Sequence, residues 1–143
     1  MPVFTLAHFF FFAIFGLLIE FLFTVLHSLI FDRNPRMVCT TYLPMGAIWG
    51  FGGMVLQLCH EMFQGAWFVV ASVFIIYAIE FSSGWIFQRI FGRKLWDYGN
   101  ARFGVIGLIR LDYIFFWLLV GVGFDRLISV FSHLIGIIIH EGL

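Results

Sequence analysis

Long apolar runs separated by short polar stretches dominate this chain. Apolar side chains extend with few interruptions over about residues 3–30 and 66–91, and a helix of about 20 residues is enough to cross a bilayer core. A glycine-rich run follows the first at about 43–58, and another covers about 104–124. The pattern predicts an all-α membrane protein with about four transmembrane helices in one transmembrane domain, residues 1–143.

The last apolar run, at about residues 127–139, is too short to span a bilayer. We therefore expect a short C-terminal helix that is re-entrant, interfacial or covered by a partner. If the fourth helix continues through Asp125 and Arg126, the two runs merge instead into one long helix.

Composition supports lipid as the solvent of most of the chain. Of the 143 residues, 62% are hydrophobic and 11% charged, whereas soluble domains average roughly 25% charged residues. The zero net charge argues against a nucleic-acid partner, because phosphate binding needs a basic face. The histidines and the two cysteines lack metal-ligand spacing, so we expect no metal and no cofactor. Cys39 and Cys59 are interpreted as free thiols, with a disulfide as the open alternative.

Basic residues indicate the orientation of the helices. The loops after the first and third helices, residues 31–42 and 92–103, lie on one side of a four-helix protein. They and the adjoining helix end hold most of the cations: Arg33, Arg36, Arg89, Arg93, Lys94 and Arg102. By the positive-inside rule, these loops face the cytoplasm or an organelle matrix. Both termini are then on the outer side of a cell membrane or an organelle inner membrane.

Four ionisable residues fall within the predicted spans: Glu20, Glu80, Arg110 and Asp112. Such groups cost several kcal/mol in lipid unless they are buried in protein and paired. With a fourth helix starting at residue 104, all four lie roughly 10–16 Å below the basic surface. We expect a buried polar network in which Arg110 neutralises one or more of the acids. The alternative is a proton or substrate site.

Small residues accompany these polar positions on the predicted helix faces. Membrane helices pack closely where small residues let their backbones approach. The predicted helix-packing glycines are Gly16, Gly84, Gly107 and Gly121.

The polar loop contains Trp96, Asp97 and Tyr98. Tryptophan and tyrosine anchor membrane proteins at the bilayer surface, so we interpret these residues as an interfacial motif. Asp97 is expected to cap the following helix or to pair with a basic neighbour, either Lys94 or one of the loop arginines.

Several short motifs resemble those of a known membrane family. They are Gly16-x-x-x-Glu20, Ile48-Trp49-Gly50, Glu80-Phe81-x-x-Gly84, Trp96-Asp97-Tyr98, Gly107-Leu108-Ile109-x-Leu111-Asp112-Tyr113, Trp117 and Asp125. The chain resembles the CmpB-like type IV ABC transporters and related small vertebrate transmembrane proteins of unknown role. The resemblance implies a multi-helix membrane fold in which the motif acids are family positions.

These observations favour a non-catalytic integral membrane subunit, structural or accessory, of a larger membrane protein complex. Its expected partners are membrane lipids and other membrane protein subunits. The loops are too short for an enzymatic head, and no nucleophile–base or metal constellation is present, so we expect no enzyme. The alternative is a small oligomeric transporter or permease that uses Glu20 and Glu80.

Overall fold

The computed structural model describes residues 6–30, 33, 36, 39, 41–99 and 102–141, the last eight as backbone only. Its elements are α1 (Leu6–Ile30), α2 (Leu43–Met62), α3 (Ala66–Phe91), β1 (Gly104–Val105), β2 (Ile109–Arg110), a 3₁₀ turn (Leu111–Tyr113) and α4 (Ile114–Glu141). The predicted loop 31–42 lies largely outside the described residues, and both termini lie outside them. The chain forms two compact units, Met1–Val55 and Leu56–Leu143.

Three helices within the described residues are long and apolar enough to cross a membrane. They are Leu6–Ile30, Ala66–Phe91 and Leu111–His133. The predicted first and third helices are confirmed, because an unbroken apolar run of this length has few alternatives to a helix in lipid. The count of four transmembrane helices and the single transmembrane domain stay predictions.

In the first unit, α1 and the start of α2 pack aromatic rings onto glycines. The indole of Trp49 on α2 covers Gly16 on α1, where a Cβ atom would overlap the ring. In the opposite direction, Phe12 of α1 covers Gly53 of α2 and is fully buried. Each helix thus supplies a ring and receives one, which is possible only where the partner lacks a side chain.

In the second unit, the prediction of a fourth helix from residue 104 is wrong. Residues 104–110 form an antiparallel hairpin with Gly104 opposite Arg110. At its turn Ile106 and Gly107 have φ angles of 55° and 72°, which exclude a right-handed helix. The flanking β-branched residues favour extended backbone, so an apolar segment that has the hydropathy of a helix folds as strands.

The predicted separate helix over residues 127–139 is also wrong. Helix α4 continues without a break from Ile114 to Glu141, which is the merged helix given as the alternative. Asp125 lies within this helix, and its carboxylate contacts His60 at 3.2 Å and the backbone N–H of Gly65 at 3.3 Å.

Helices α3 and α4 run antiparallel with a large offset. Three contacts fix the alignment: Tyr77 with the carbonyl of Leu111, Ser72 with Gly121, and Gly65 with Asp125. Because Gly65 immediately precedes α3, the residues of α4 after Asp125 extend beyond the start of α3. At 1.5 Å per residue this extension is about 24 Å long.

Candidate functional site

Glu20 receives two hydrogen bonds from its own unit. The hydroxyl of Thr41 donates to Oε1 at 2.9 Å, and the indole N–H of Trp49 donates to Oε2 at 3.1 Å. The same indole ring covers Gly16, one helical turn before Glu20. Gly16-x-x-x-Glu20 therefore binds the side chain of one tryptophan: the glycine leaves room for the ring, and the glutamate accepts a hydrogen bond from its N–H.

Glu80 accepts fewer hydrogen bonds than Glu20. The hydroxyl of Tyr98 donates to Oε1 at 3.0 Å. Oε2 is buried and has no hydrogen-bond partner among the described residues. One oxygen of the carboxyl group is thus satisfied, and the other is enclosed without a donor or acceptor.

Tyr98 reaches Glu80 because the loop and hairpin fold back along α3. We call residues 96–99 and 102–110 the WDY segment. Its backbone N–H at Tyr98 donates to the carbonyl of Gly107 at 2.9 Å, and the indole N–H of Trp96 donates to the carbonyl of Leu108 at 2.9 Å. Trp96 and Leu108 both contact the face of α3 at Gly84, where a Cβ atom would lie 3.0 Å from each.

The side chains of Trp96, Asp97 and Tyr98 point in alternating directions along the WDY segment. In extended backbone, residues two apart share a side and the residue between them points the opposite way. Trp96 and Tyr98 accordingly contact α3, whereas Asp97 faces outward and pairs with Lys94 at 3.0 Å. The motif predicted to be an interfacial anchor thus places both of its aromatic rings against α3.

Electrostatics differ between these neighbouring side chains. The backbone N–H of Gly99, at 2.9 Å, and Lys94 lower the pKa of the Asp97 carboxyl below its ordinary value. Burial and the nearby Glu80 carboxyl raise the pKa of the Tyr98 hydroxyl far above its ordinary value. Tyr98 therefore stays a hydrogen-bond donor at every physiological pH.

Arg110 pairs with Asp112. Its Nε donates to one carboxylate oxygen at 3.0 Å and its Nη2 to the other, while Nη1 donates to the Tyr113 hydroxyl at 3.0 Å. Glu80 accepts its hydrogen bond from Tyr98 instead. In a helix, residues two apart point in different directions, but the extended backbone at Arg110 (φ −124°, ψ 111°) puts Asp112 within reach.

Three tyrosines gather around this end of the site. The rings of Tyr98 and Tyr113 meet edge to face with centroids 5.8 Å apart. Tyr77, one turn before Glu80, donates to the carbonyls of Arg110 and Leu111 at 3.2 and 3.3 Å. These contacts tie the start of α4 to the middle of α3.

The predicted packing glycines divide into two kinds. Gly16, Gly84 and Gly121 lie on helices and receive neighbouring groups. Gly107 does not pack a helix, because it lies in the hairpin turn with φ 72°. A Cβ atom there would overlap the carboxylate of Asp97, so the prediction of a helix-packing role for Gly107 is wrong.

Sequence reasoning missed several polar partners. Trp49 belonged to a recognised motif, but its role as donor to Glu20 was not foreseen, and Thr41 was not considered. The contact of His60 with Asp125 was missed as well. An acid within an apolar run was the available signal, since such a group needs a partner. Cys39 and Cys59 are free thiols.

The chain matches a known protein family over nearly its whole length. Residues 7–141 match the family described as "Putative ABC-transporter type IV". No curated protein and no solved structure matches.

Proposed function

Since the chain belongs to this transporter-type family, we propose that it is a non-catalytic, structural or accessory subunit of a larger membrane protein complex. With its apolar helices it is an integral membrane protein. The 143 residues contain no P-loop motif. ATP hydrolysis in such a complex would be the task of another polypeptide.

The offset between α3 and α4 is the observation that supports this proposal. Helix α3 has 26 residues and is about 39 Å long, and α4 extends about 24 Å beyond its start. Together they cover about 63 Å along the helix axes, twice the roughly 30 Å of a hydrocarbon core. A tilt of 40°, the upper end of the usual range, still leaves about 48 Å.

Exposed apolar side chains lie at the end of α3 and in the first part of the extension of α4. Phe91 at the end of α3 is 63% exposed, and Val130 in the extension of α4 is 58% exposed. Val130 lies about 8 Å beyond Asp125, so the two side chains are about 47 Å apart along the helix axes. One hydrocarbon core of about 30 Å is too thin to cover both, and the remainder needs protein contacts. Other membrane subunits are the partners that supply such contacts within or next to the bilayer.

Gentle extraction tests the subunit proposal. In mild detergent the chain should elute well above the size of a homodimer and copurify with other membrane proteins. Val130→Asn should release it from them. Val122→Asn is the matched control, because Val122 is also exposed but lies on the part of α4 alongside α3. Elution of the wild type as a free monomer or homodimer would contradict the proposal.

A small oligomeric permease that uses Glu20 and Glu80 is the second candidate function. It is favoured by the bonding of Glu80: Arg110 pairs with Asp112, while a buried oxygen of Glu80 has no hydrogen-bond partner in the described part of the chain. In liposomes holding a pH-sensitive dye, an imposed membrane potential should drive proton entry. Glu80→Gln and Glu20→Gln should reduce this entry at least tenfold, and unchanged entry in both variants would remove the candidate.

The predicted orientation becomes part of the proposal. Arg93 and Lys94 precede the WDY segment, and we infer that this side faces the cytoplasm or matrix. In a variant with Cys39→Ser and Cys59→Ser, Arg93→Cys should react with an impermeant maleimide only after the membrane is opened. Reaction in intact cells or sealed organelles would reverse the assignment.

A further inference from the structure

We propose that Glu80 and Tyr98 form a proton-binding site in which Glu80 is a neutral carboxylic acid at neutral pH. The proton is bound at the carboxyl group, and Tyr98 is a positioning residue that holds the acid by one hydrogen bond. This inference deepens the permease alternative, in which it would supply the transported or coupled proton, but the site is defined by its own contacts.

The hydrogen bonds at Glu80 suit a neutral acid better than an anion. A carboxylate offers about four acceptor positions on its two oxygens. Here one neutral hydroxyl serves Oε1 at 3.0 Å, and Oε2 is buried without a partner among the described residues. Burial disfavours the charged form of an acid unless cations or several donors compensate, and one tyrosine is weak compensation.

Among the described residues, the charged and titratable groups next to Glu80 do not supply a free cation. The groups that interact with Glu80 are Tyr77 on its own helix, Tyr98 of the WDY segment and Tyr113 of the 3₁₀ turn, and the nearest cation to Tyr98 is Arg110. Arg110 binds Asp112 through two N–H groups, so this pair adds no net charge. Tyr113 of the 3₁₀ turn is neutral as well.

Glu20 provides a comparison within the same chain. Both of its oxygens accept hydrogen bonds, from Thr41 and Trp49, and neither is an orphan. The two membrane glutamates are thus bonded differently, and the proposal concerns Glu80 alone.

Release of the proton breaks the O–H bond of Glu80 and passes H⁺ to water. The carboxylate that remains keeps the Tyr98 hydrogen bond and gains no other from the described residues. Tyr98 itself keeps its proton throughout.

Infrared spectroscopy of the full chain in lipid nanodiscs tests the site directly. At pH 7 the wild type should show a carboxylic C=O band, which Glu80→Gln removes and Glu20→Gln leaves. Tyr98→Phe should shift this band to higher frequency, because it removes the hydrogen bond to the carbonyl. Tyr113→Phe is the matched control and should not shift it by a comparable amount.

Two outcomes overturn the proposal. One is an unchanged carboxylic band in Glu80→Gln at pH 7, and the other is an unshifted band in folded Tyr98→Phe, which retains the acid. If Glu80→Gln removes the band but leaves proton entry into liposomes unchanged, the proton site stands and the permease function fails.

Discussion

Gly121 is a position where α4 approaches α3 closely. A Cβ atom there would overlap the hydroxyl of Ser72 and lie 3.3 Å from the carbonyl oxygen of Val69. Ser72 is fully buried and donates to that same carbonyl at 2.8 Å, so it has little room to move. Overpacking costs about 1–3 kcal/mol, whereas replacing a helical glycine by alanine gains about 0.5–1 kcal/mol. Gly121→Ala should therefore lower the free energy of unfolding by up to about 2.5 kcal/mol.

Gly123 offers a matched control two residues further along α4. Nothing lies within 4 Å of a Cβ atom at this position, so Gly123→Ala gains helix propensity without a clash. It should raise the free energy of unfolding by up to about 1 kcal/mol. Unfolding in mixed micelles, with an increasing fraction of a denaturing detergent and helix content followed by circular dichroism, measures both changes.

A second substitution shows whether the hydroxyl of Ser72 causes the loss. Adding Ser72→Ala to Gly121→Ala removes the overlapping oxygen and should recover about half or more of the stability, a coupling that a double-mutant cycle measures. Equal effects of Gly121→Ala and Gly123→Ala, or no recovery in the double variant, would refute the α3–α4 contact as described.

Three further predictions concern the turns and the polar contacts. Gly107→Ala should destabilise the protein by about 2–4 kcal/mol in the same unfolding assay, since it adds an overlap with Asp97 to the cost of a left-handed backbone. Gly92→Ala, which has a left-handed backbone but open space, should cost only about 1–2 kcal/mol. The Asp97 carboxylate stabilises the fold at a pH above its ordinary pKa of 3.8, and this stabilisation is lost as the pH falls through the lower pKa that the group has in the folded protein. Tryptophan fluorescence should therefore change in this acid range, and Asp97→Asn should abolish the change. Asp125→Ala leaves His60 without its partner and should cost about 1–3 kcal/mol of unfolding free energy, whereas Asp125→Asn, which keeps an acceptor oxygen, should cost less than half as much.

The sequence allowed prediction of the helices whose apolar runs leave no alternative, α1 and α3. It did not reveal the hairpin at residues 104–110, because Val105, Ile106 and Ile109 are as apolar as a helix that spans a membrane. The informative residue was Gly107, whose left-handed turn decides the backbone. Hydropathy responds to how apolar a segment is and not to whether its backbone is helical or extended.

The candidate site was predictable only in part for the same reason. Asp97 pairs with Lys94, one of the neighbours that the sequence offered. The depth assigned to Arg110 and Asp112 assumed a helix, and the extended backbone instead brings these two residues together. Nothing in the residue pattern indicated that Tyr98 would reach back to Glu80, since that contact depends on the fold of the intervening loop.

The hydrogen bond between Tyr98 and Glu80 joins residues only 18 positions apart. The sequence up to Tyr98 therefore supplies the hydrogen-bond donor of Glu80 without any residue of α4. Local contacts of this kind form early in folding because little chain entropy is lost in closing the loop. Insertion of α3 by the translocon should accordingly be favoured by the downstream sequence up to Tyr98, so that a truncated nascent chain ending before Trp96 inserts less efficiently than one ending after Leu108.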